Sequence, residues 1–231
     1  MINISRAVAF FVQLLLVQTT YAAGSAFVFD RTELLAFDEG GVVTGYYNAQ
    51  GKKRSCVFLF AQNGAQMEGQ PQPPYSETKI LTYVPGEAEF SYVDRNQFFD
   101  ITGELFRRDE TWIVRTDEGQ AGCESALGSF TSFPKDKVGG EIFNVEEKIS
   151  AVGIRLITRK TYLHDFRNGK FVARKAYLAK RDGVIVIRMQ DQFSYVRFTD
   201  TRVDTPSSGR ITTGWVRSAD LVNPFPQSSK Q

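Results

Sequence analysis

Short runs of β-branched and aromatic residues, separated by turn-forming residues, are the feature that most restricts the fold of this chain. The runs are four to nine residues long, as at residues 56–60 and 98–106, and Gly, Asn, Pro and Asp punctuate the intervals between them. No stretch shows a sustained helical period with caps. The single helical candidate is residues 30–37, where an Asp and a Glu have capping-box spacing. The pattern predicts a mainly β protein.

The composition supports a folded protein without an ordinary catalytic site. Of the 231 residues, 42% are hydrophobic and 23% are charged, which is typical of a globular protein with a buried core. One histidine and two cysteines are too few for a multi-histidine metal site, a four-cysteine zinc site or a paired-cysteine redox motif. The chain also lacks a Gly-x-Ser-x-Gly nucleophile elbow. We therefore expect a protein that is not an enzyme and uses no metal or cofactor.

The first 22 residues have the organisation of a secretory signal peptide. Arg6 is the only charged side chain ahead of an apolar segment at residues 7–17, which is too short to cross a bilayer because a spanning helix needs about 20 residues. A Thr-Tyr-Ala sequence ending at Ala22 favours cleavage after Ala22, with Ala23 as the near alternative. A buried N-terminal helix or strand of a cytosolic protein is the competing interpretation. We expect a periplasmic or secreted protein without a transmembrane segment.

The two cysteines, Cys56 and Cys123, each stand beside a strand-like run. In an oxidising compartment such a pair most often forms a disulfide. Closing a loop of about 67 residues contributes about 4 kcal/mol in the chain-entropy description. The alternatives are a reactive thiol or a thiol nucleophile that works with His164, but His164 belongs to a different segment.

Charge divides the rest of the chain into two halves of opposite sign. Residues 23–147 contain 20 acidic and 11 basic residues, a net charge of −9, whereas residues 148–222 contain 6 acidic and 15 basic residues, a net charge of +9. We predict an acidic, disulfide-containing β-sandwich or barrel over residues 23–147, a basic domain over residues 148–222 and a flexible tail at residues 223–231. The halves either dock on one another so that their charges cancel, carry charges scattered over solvated faces, or face a charged partner. Export argues against nucleic acid as that partner.

Five strand-like runs follow one another in the basic half, and turn-forming steps such as Asp-Gly separate them. Five short strands at this spacing suit a small barrel. The most distinctive sequence features are Thr161-Tyr162-Leu163, the run at residues 176–184, Tyr195-Val196-Arg197-Phe198 and the closing Gly214-Trp215-Val216-Arg217-Ser218-Ala219-Asp220-Leu221-Val222. On these features the C-terminal third resembles the bacterial SH3-like (SH3b) domain. The resemblance implies a small β-barrel that serves as a non-catalytic binding module for peptidoglycan or for a protein.

Basic and aromatic side chains alternate in the first part of this region. The resemblance places residues 163–172, with His164 among them, in a long polar loop of the barrel. Basic side chains beside exposed aromatic rings suit sugars, anionic polymers or an acidic protein surface. Trp215 belongs either to the barrel core or to a ligand platform. The candidate partner-binding residues are Tyr162, His164, Phe166, Arg167, Lys170, Lys175 and Trp215.

Three functional hypotheses follow from the sequence. The leading one is an exported, non-catalytic binding protein whose SH3-like domain engages a cell-envelope polymer, such as peptidoglycan, or an exported protein. The alternative is a periplasmic immunity or inhibitor protein that neutralises a secreted toxin or lytic enzyme, with the acidic half or the loop at residues 61–76 plugging a cationic cleft. A cell-wall hydrolase that uses an acidic pair, Glu87 with Glu89 or Asp109 with Glu110, is the third.

Overall fold

The computed structural model describes residues 23–53, 55–63, 75–120, 123, 130–131 and 139–227. Within these ranges the regular structure consists of strands and two 3-10 helices of three residues each, so the prediction of a mainly β protein is confirmed. The predicted signal peptide, most of the loop at residues 61–76 and the end of the tail lie outside the described residues.

The first eight strands form a closed barrel in which neighbouring strands are antiparallel. Their bounds are β1 (Gly24–Phe29), β2 (Leu34–Glu39), β3 (Val42–Gln50), β4 (Ser55–Gln62), β5 (Ser76–Tyr83), β6 (Ile101–Arg108), β7 (Thr111–Thr116) and β8 (Glu141–Ala151), with a 3-10 helix at Gln97–Phe99. Pairing of β1 with β8 closes the barrel, from Gly24 opposite Ala151 to Phe29 opposite Val145. Of the two architectures predicted for this half, the chain adopts the barrel.

Aromatic rings and the disulfide fill the barrel interior. Alternation along β4 places Cys56, Phe58 and Phe60 in the same buried cluster. Phe58 lies edge-to-face with Phe130 at 4.9 Å between ring centroids, a favoured geometry for aromatic pairs. Cys56 is bonded to Cys123, so the predicted disulfide is confirmed. It ties the segment that follows β7 to β4.

The remaining strands form one antiparallel sheet. They are β9 (Gly153–Ile157), β10 (Thr161–Arg167), β11 (Lys170–Leu178), β12 (Gly183–Gln190), β13 (Phe193–Thr199), β14 (Ile211–Arg217) and β15 (Leu221–Val222), with a 3-10 helix at Ser218–Asp220. Their order in the sheet is β11-β10-β14-β13-β12-β9-β15. All five predicted runs lie within these strands, and β10 and β15 are additional. The resemblance to an SH3b domain stays a prediction.

The polar loop predicted at residues 163–172 is wrong, because this segment belongs to a β-hairpin. Strands β10 and β11 pair up to Arg167 opposite Lys170, and the two residues between them, Asn168 and Gly169, both have positive φ. Asn-Gly is the preferred sequence for a tight hairpin turn with this backbone conformation.

The helix predicted at residues 30–37 is also wrong. The chain turns at residues 30–33 and then enters β2. Successive residues of β2 are buried alternately in the barrel interior and against the second sheet, so burial on two opposite faces imposes a strand. Asp30 does not cap a helix, but accepts hydrogen bonds from the backbone N–H groups of Arg31 and Asn144.

The barrel and the second sheet share an apolar core. Side chains from the first strands of the barrel pack in one cluster with Ile154 and Ile185 of the second sheet. The hydroxyl of Tyr46 donates a hydrogen bond to the carbonyl oxygen of Arg181 over 2.9 Å. Residue 147, where the charge changes sign, lies inside β8. The two halves are therefore packed together and joined by a continuous strand.

The opposite charges of the two halves are not neutralised by ion pairs at this junction. Between residues that the structure describes, only the pair of Glu147 and Arg197, at 2.5 Å, joins the acidic half to the basic half. The other ion pairs form within one half, such as those of Glu104 with Lys79 and Arg115. The halves therefore dock through apolar side chains, and their charges remain largely unpaired across the junction.

Candidate functional site

The predicted partner-binding residues lie on β10, β11, β14 and the hairpin turn of the second sheet. Tyr162, His164 and Phe166 alternate along β10 with Leu163, which is buried in the core. Because side chains alternate between the two faces of a strand, these three project from the face opposite the core. Trp215 of β14 is directly opposite His164, whose Nδ1 donates a hydrogen bond to the carbonyl oxygen of Trp215 over 3.3 Å.

One row of side chains crosses five strands on this face. The register places Ala173 opposite His164, and His164 opposite Trp215. It continues with Trp215 opposite Tyr195, and Tyr195 opposite Arg188. Side chains of directly paired residues on antiparallel strands lie in contact. The row therefore brings together an imidazole, two larger aromatic rings and a guanidinium group from four strands.

Further aromatic contacts extend this row into a cluster. Phe171 stacks on Phe193 at 3.9 Å between ring centroids and meets Trp215 at 5.3 Å. The guanidinium of Arg188 lies over the rings of Tyr195 and Trp215, at 4.9 and 5.2 Å from their centroids, which is cation–π geometry. The members of this cluster, called the aromatic face below, are His164, Phe166, Phe171, Arg188, Phe193, Tyr195 and Trp215.

Trp215 and Phe166 differ in how they can meet a partner. Trp215 is only 4% exposed and forms the floor of the aromatic face, whereas Phe166 is 43% exposed. A partner would touch Phe166 directly, and would depend on Trp215 through the rings that pack on it.

A second aromatic pair lies at the other end of the hairpin. Tyr162 and Tyr177 are cross-strand partners with ring centroids 6.2 Å apart, and each is about half exposed. The ammonium group of Lys160 lies 4.1 Å from the ring centroid of Tyr177. This arrangement offers two open ring surfaces beside a cation, as at sites that stack on sugars or bind anions.

Exposed basic side chains surround the hairpin. Arg167 pairs with Asp165 at 2.9 Å, and Arg174 reaches the same carboxylate at 3.5 Å. Lys170 and Lys175 are exposed and form no ion pair among the described residues. With four basic side chains and one carboxylate, this rim carries a net positive charge.

Four members of the aromatic face were not among the predicted residues: Phe171, Arg188, Phe193 and Tyr195. The sequence carries a partial signal, because Arg188 and Tyr195 flank Asp191, and aspartate is a common residue of tight turns. Their position beside Trp215 depends on the pairing of β13 with β14, which the sequence does not reveal.

The described residues contain no group of three or more His, Cys, Asp or Glu side chains that could hold a metal ion. Glu87 and Glu89 lie exposed in a loop, and Asp109 and Glu110 lie exposed in the turn between β6 and β7. In the part of the chain that the structure describes, no helix is long and apolar enough to span a membrane.

The chain was also compared with known proteins. No protein-family model, curated protein or solved structure matches it.

Proposed function

We propose that this protein is an exported, non-catalytic binding protein that engages an anionic polymer of the cell envelope, peptidoglycan first among them. The observation that carries the proposal is the aromatic face, with the exposed ring of Phe166 at its edge and exposed lysines around it. Rings supply stacking surfaces for sugars, and the cations attract the acidic groups of the polymer. The resemblance of the C-terminal motifs to the SH3b domain supports the same conclusion.

The compartment is part of this proposal. A buried disulfide fits an oxidising environment, and the first 22 residues have the sequence of a signal peptide. Envelope polymers are the abundant anionic glycans of that environment, which makes them the natural partner for a basic aromatic surface.

Co-sedimentation of the full mature chain with purified peptidoglycan tests this function. We expect most of the protein to pellet at low salt and to remain in solution at about 0.5 M salt, where charge interactions are screened within a few ångströms. The variant Phe166→Ala should weaken binding about tenfold, because loss of an aromatic ring that contacts the partner costs about 1–2 kcal/mol. Phe98→Ala, which removes an equally large ring from the barrel, is the matched control. Absence of pelleting at low salt, or equal binding by Phe166→Ala and the wild type, would refute the proposal.

A second function is favoured by a different observation, the loop at residues 84–100 of the barrel. The predicted strand at residues 98–106 begins only at Ile101, and this loop instead presents Phe98 and Val93 to solvent, 85% and 84% exposed. Arg95 fixes the loop, because its guanidinium forms hydrogen bonds to both carboxylate oxygens of Asp100.

The exposed ionisable side chains of this loop are acidic. They are those of Glu87, Glu89 and Asp94, whereas Lys180 and Arg181 lie over the ring of Phe90 at the base of the loop. A preordered apolar tip with an acidic rim suits insertion into a basic cleft. We propose as the alternative function that this loop inhibits an exported basic toxin or lytic enzyme.

The alternative is tested against the basic exported proteins encoded beside this gene. Phe98→Ala should weaken binding to such a protein about tenfold or more, whereas Phe166→Ala should leave it unchanged. Reversal of this pattern, or failure of every neighbouring product to bind, would eliminate the inhibitor function while leaving peptidoglycan binding as a separate result.

A further inference from the structure

A cleft of about 710 Å³ lies between the barrel and the second sheet, away from the aromatic face. Its apolar wall includes Phe37, Val42, Ala61, Val152 and Phe225. The cleft has the size of a small-molecule site, because such sites typically occupy about 300–1,000 Å³ and are lined mainly by apolar side chains with a few polar groups.

One cation lies in this cleft without an acidic partner in contact. Arg155 of β9 lines the cleft, and its Nη1 donates hydrogen bonds to the carbonyl oxygen of Ile154 at 2.8 Å and to Asn223 Oδ1 at 3.5 Å. Among the described residues no carboxylate forms an ion pair with this guanidinium, and its Nε and Nη2 have no hydrogen-bond partner. Neither atom is sealed in the interior. The Nε–Nη2 edge, which carboxylates and phosphates occupy with two parallel hydrogen bonds, is therefore free.

The backbone makes room for the guanidinium in this position. A Cβ atom on Gly153 would stand 2.6 Å from Arg155 Nη1, so the glycine allows the side chain to fold back along its own strand. Burial lowers the pKa of Arg155, and the charge of Glu39 acts in the opposite direction. Partial desolvation of a cation costs free energy, and an anion bound beside the guanidinium would offset that cost.

Glu39 is the only acidic side chain that lines the cleft among the described residues. It is exposed and forms no ion pair with Arg155, although its charge acts on the guanidinium. The Glu39 carboxylate therefore competes electrostatically with an incoming anion, but it does not occupy the Nε–Nη2 edge of Arg155.

We propose that this cleft binds an amphipathic anion, with a carboxylate or phosphate head on the Nε–Nη2 edge of Arg155 and an apolar tail along Phe37, Val42 and Phe225. The apolar wall accounts for the tail, since a small inorganic ion would leave that surface open to water. The site is independent of the aromatic face and of the loop at residues 84–100, so it stands whichever proposed function is correct.

Calorimetric titration of the full mature chain tests the proposal with four probes below their micelle concentrations. These are dodecanoate, dodecyl phosphate, dodecyl maltoside and inorganic phosphate. We expect a dissociation constant of about 10–100 μM for an amphipathic anion. Binding of dodecanoate alone identifies a fatty-acid type of head, binding of dodecyl phosphate alone identifies a phospholipid type, and binding of both supports the shared anionic chemistry. Equal binding of dodecyl maltoside or inorganic phosphate, or no binding of either anionic amphiphile, would overturn the proposal.

Variants locate the binding in this cleft. Arg155→Gln should weaken binding of the anionic amphiphile about tenfold or more, and Glu39→Gln should strengthen it two- to fivefold by removing a competing charge. Val42→Trp fills the mouth of the cleft from a side chain that is already 49% exposed, so it should block binding without disturbing the core. Arg210→Gln and Val172→Trp are matched controls on exposed residues elsewhere, and each variant is first melted without ligand to show that it folds. Unchanged binding in both Arg155→Gln and Val42→Trp places the ligand elsewhere and refutes the site.

Discussion

At the scale of single residues, the carboxyl group of Asp182 is the clearest case of an environment that alters a side chain. It lies in the turn between β11 and β12, where its Oδ2 accepts a hydrogen bond from the backbone N–H of Ala179 at 2.7 Å. Burial raises the pKa of Asp182 to about 6, and the nearby charge of Asp200 adds to the effect. Between about pH 4 and 6 the folded protein therefore keeps this carboxyl group neutral, whereas the same group is charged in the unfolded chain.

The raised pKa predicts a loss of stability as the pH rises. Below about pH 4 the carboxyl is protonated in both states, between about pH 4 and 6 only the folded state holds the proton, and above pH 6 the folded state carries the full cost of a buried charge. Asp182→Asn keeps an acceptor for Ala179 and removes this cost. The variant should be more stable than the wild type by about 1–2 kcal/mol at pH 7.5, and the gain should vanish at pH 4.

Urea unfolding at pH 4, 5.5 and 7.5 measures this difference. Asp191→Asn, in the exposed turn between β12 and β13, is the matched control and should show little gain at any of the three values. A gain for Asp182→Asn that does not change with pH would mean that the carboxyl has an ordinary pKa in the folded protein.

At the scale of elements, the disulfide is the strongest constraint on the barrel. It joins β4 to a residue beyond β7, and the two cysteines are 67 positions apart. We expect the double variant Cys56→Ala/Cys123→Ala to lose about 4 kcal/mol of unfolding free energy, because the unfolded chain regains the entropy of an open loop. Denaturant titration measures the loss, and addition of a reductant to the wild type should reproduce it. A loss below about 1 kcal/mol would show that the packed rings, rather than the bond, hold this part of the barrel.

Strand prediction succeeded where a strand carries its own local signal. The run at residues 56–60 is apolar, β-branched or aromatic, and it lies in β4. The segment at residues 163–172 was predicted as a loop, because the charged side chains of Asp165, Arg167 and Lys170 break the apolar alternation there. The helix at residues 30–37 was wrong because local capping signals carry no information about burial on two faces.

The site was predicted less completely than the fold, because local sequence patterns do not show which strands pair with each other. Tyr162, His164 and Phe166 belong to one strand, so their common face follows from alternation alone. The pairing of His164 with Trp215 joins residues 51 positions apart, and no local pattern specifies that register. Closure of the barrel depends in the same way on the pairing of β1 with β8, which is why sandwich and barrel stayed open alternatives.

At the scale of the whole molecule, the two halves have opposite net charges, but apolar packing holds them together. The halves carry −9 and +9, yet they are held together by packed apolar side chains and by a single ion pair between described residues. Salt should therefore weaken partner binding without separating the halves, because apolar burial does not depend on charge screening.

The shared core predicts that the two halves unfold together. Each contains one of the chain's two tryptophans, Trp112 in the barrel and Trp215 in the second sheet, and both are nearly fully buried. In Trp215→Phe the fluorescence reports only the barrel, and in Trp112→Phe only the second sheet.

Gly183→Val perturbs the junction, because a Cβ atom at this position would occupy the space of the Tyr46 ring. We expect Gly183→Val to cost about 1–3 kcal/mol of unfolding free energy by overpacking. When it is added to each single-tryptophan variant, the unfolding midpoints of the barrel and of the second sheet should fall by the same amount. Midpoints that separate, with only one reporter responding to Gly183→Val, would show two independently folding units that merely touch.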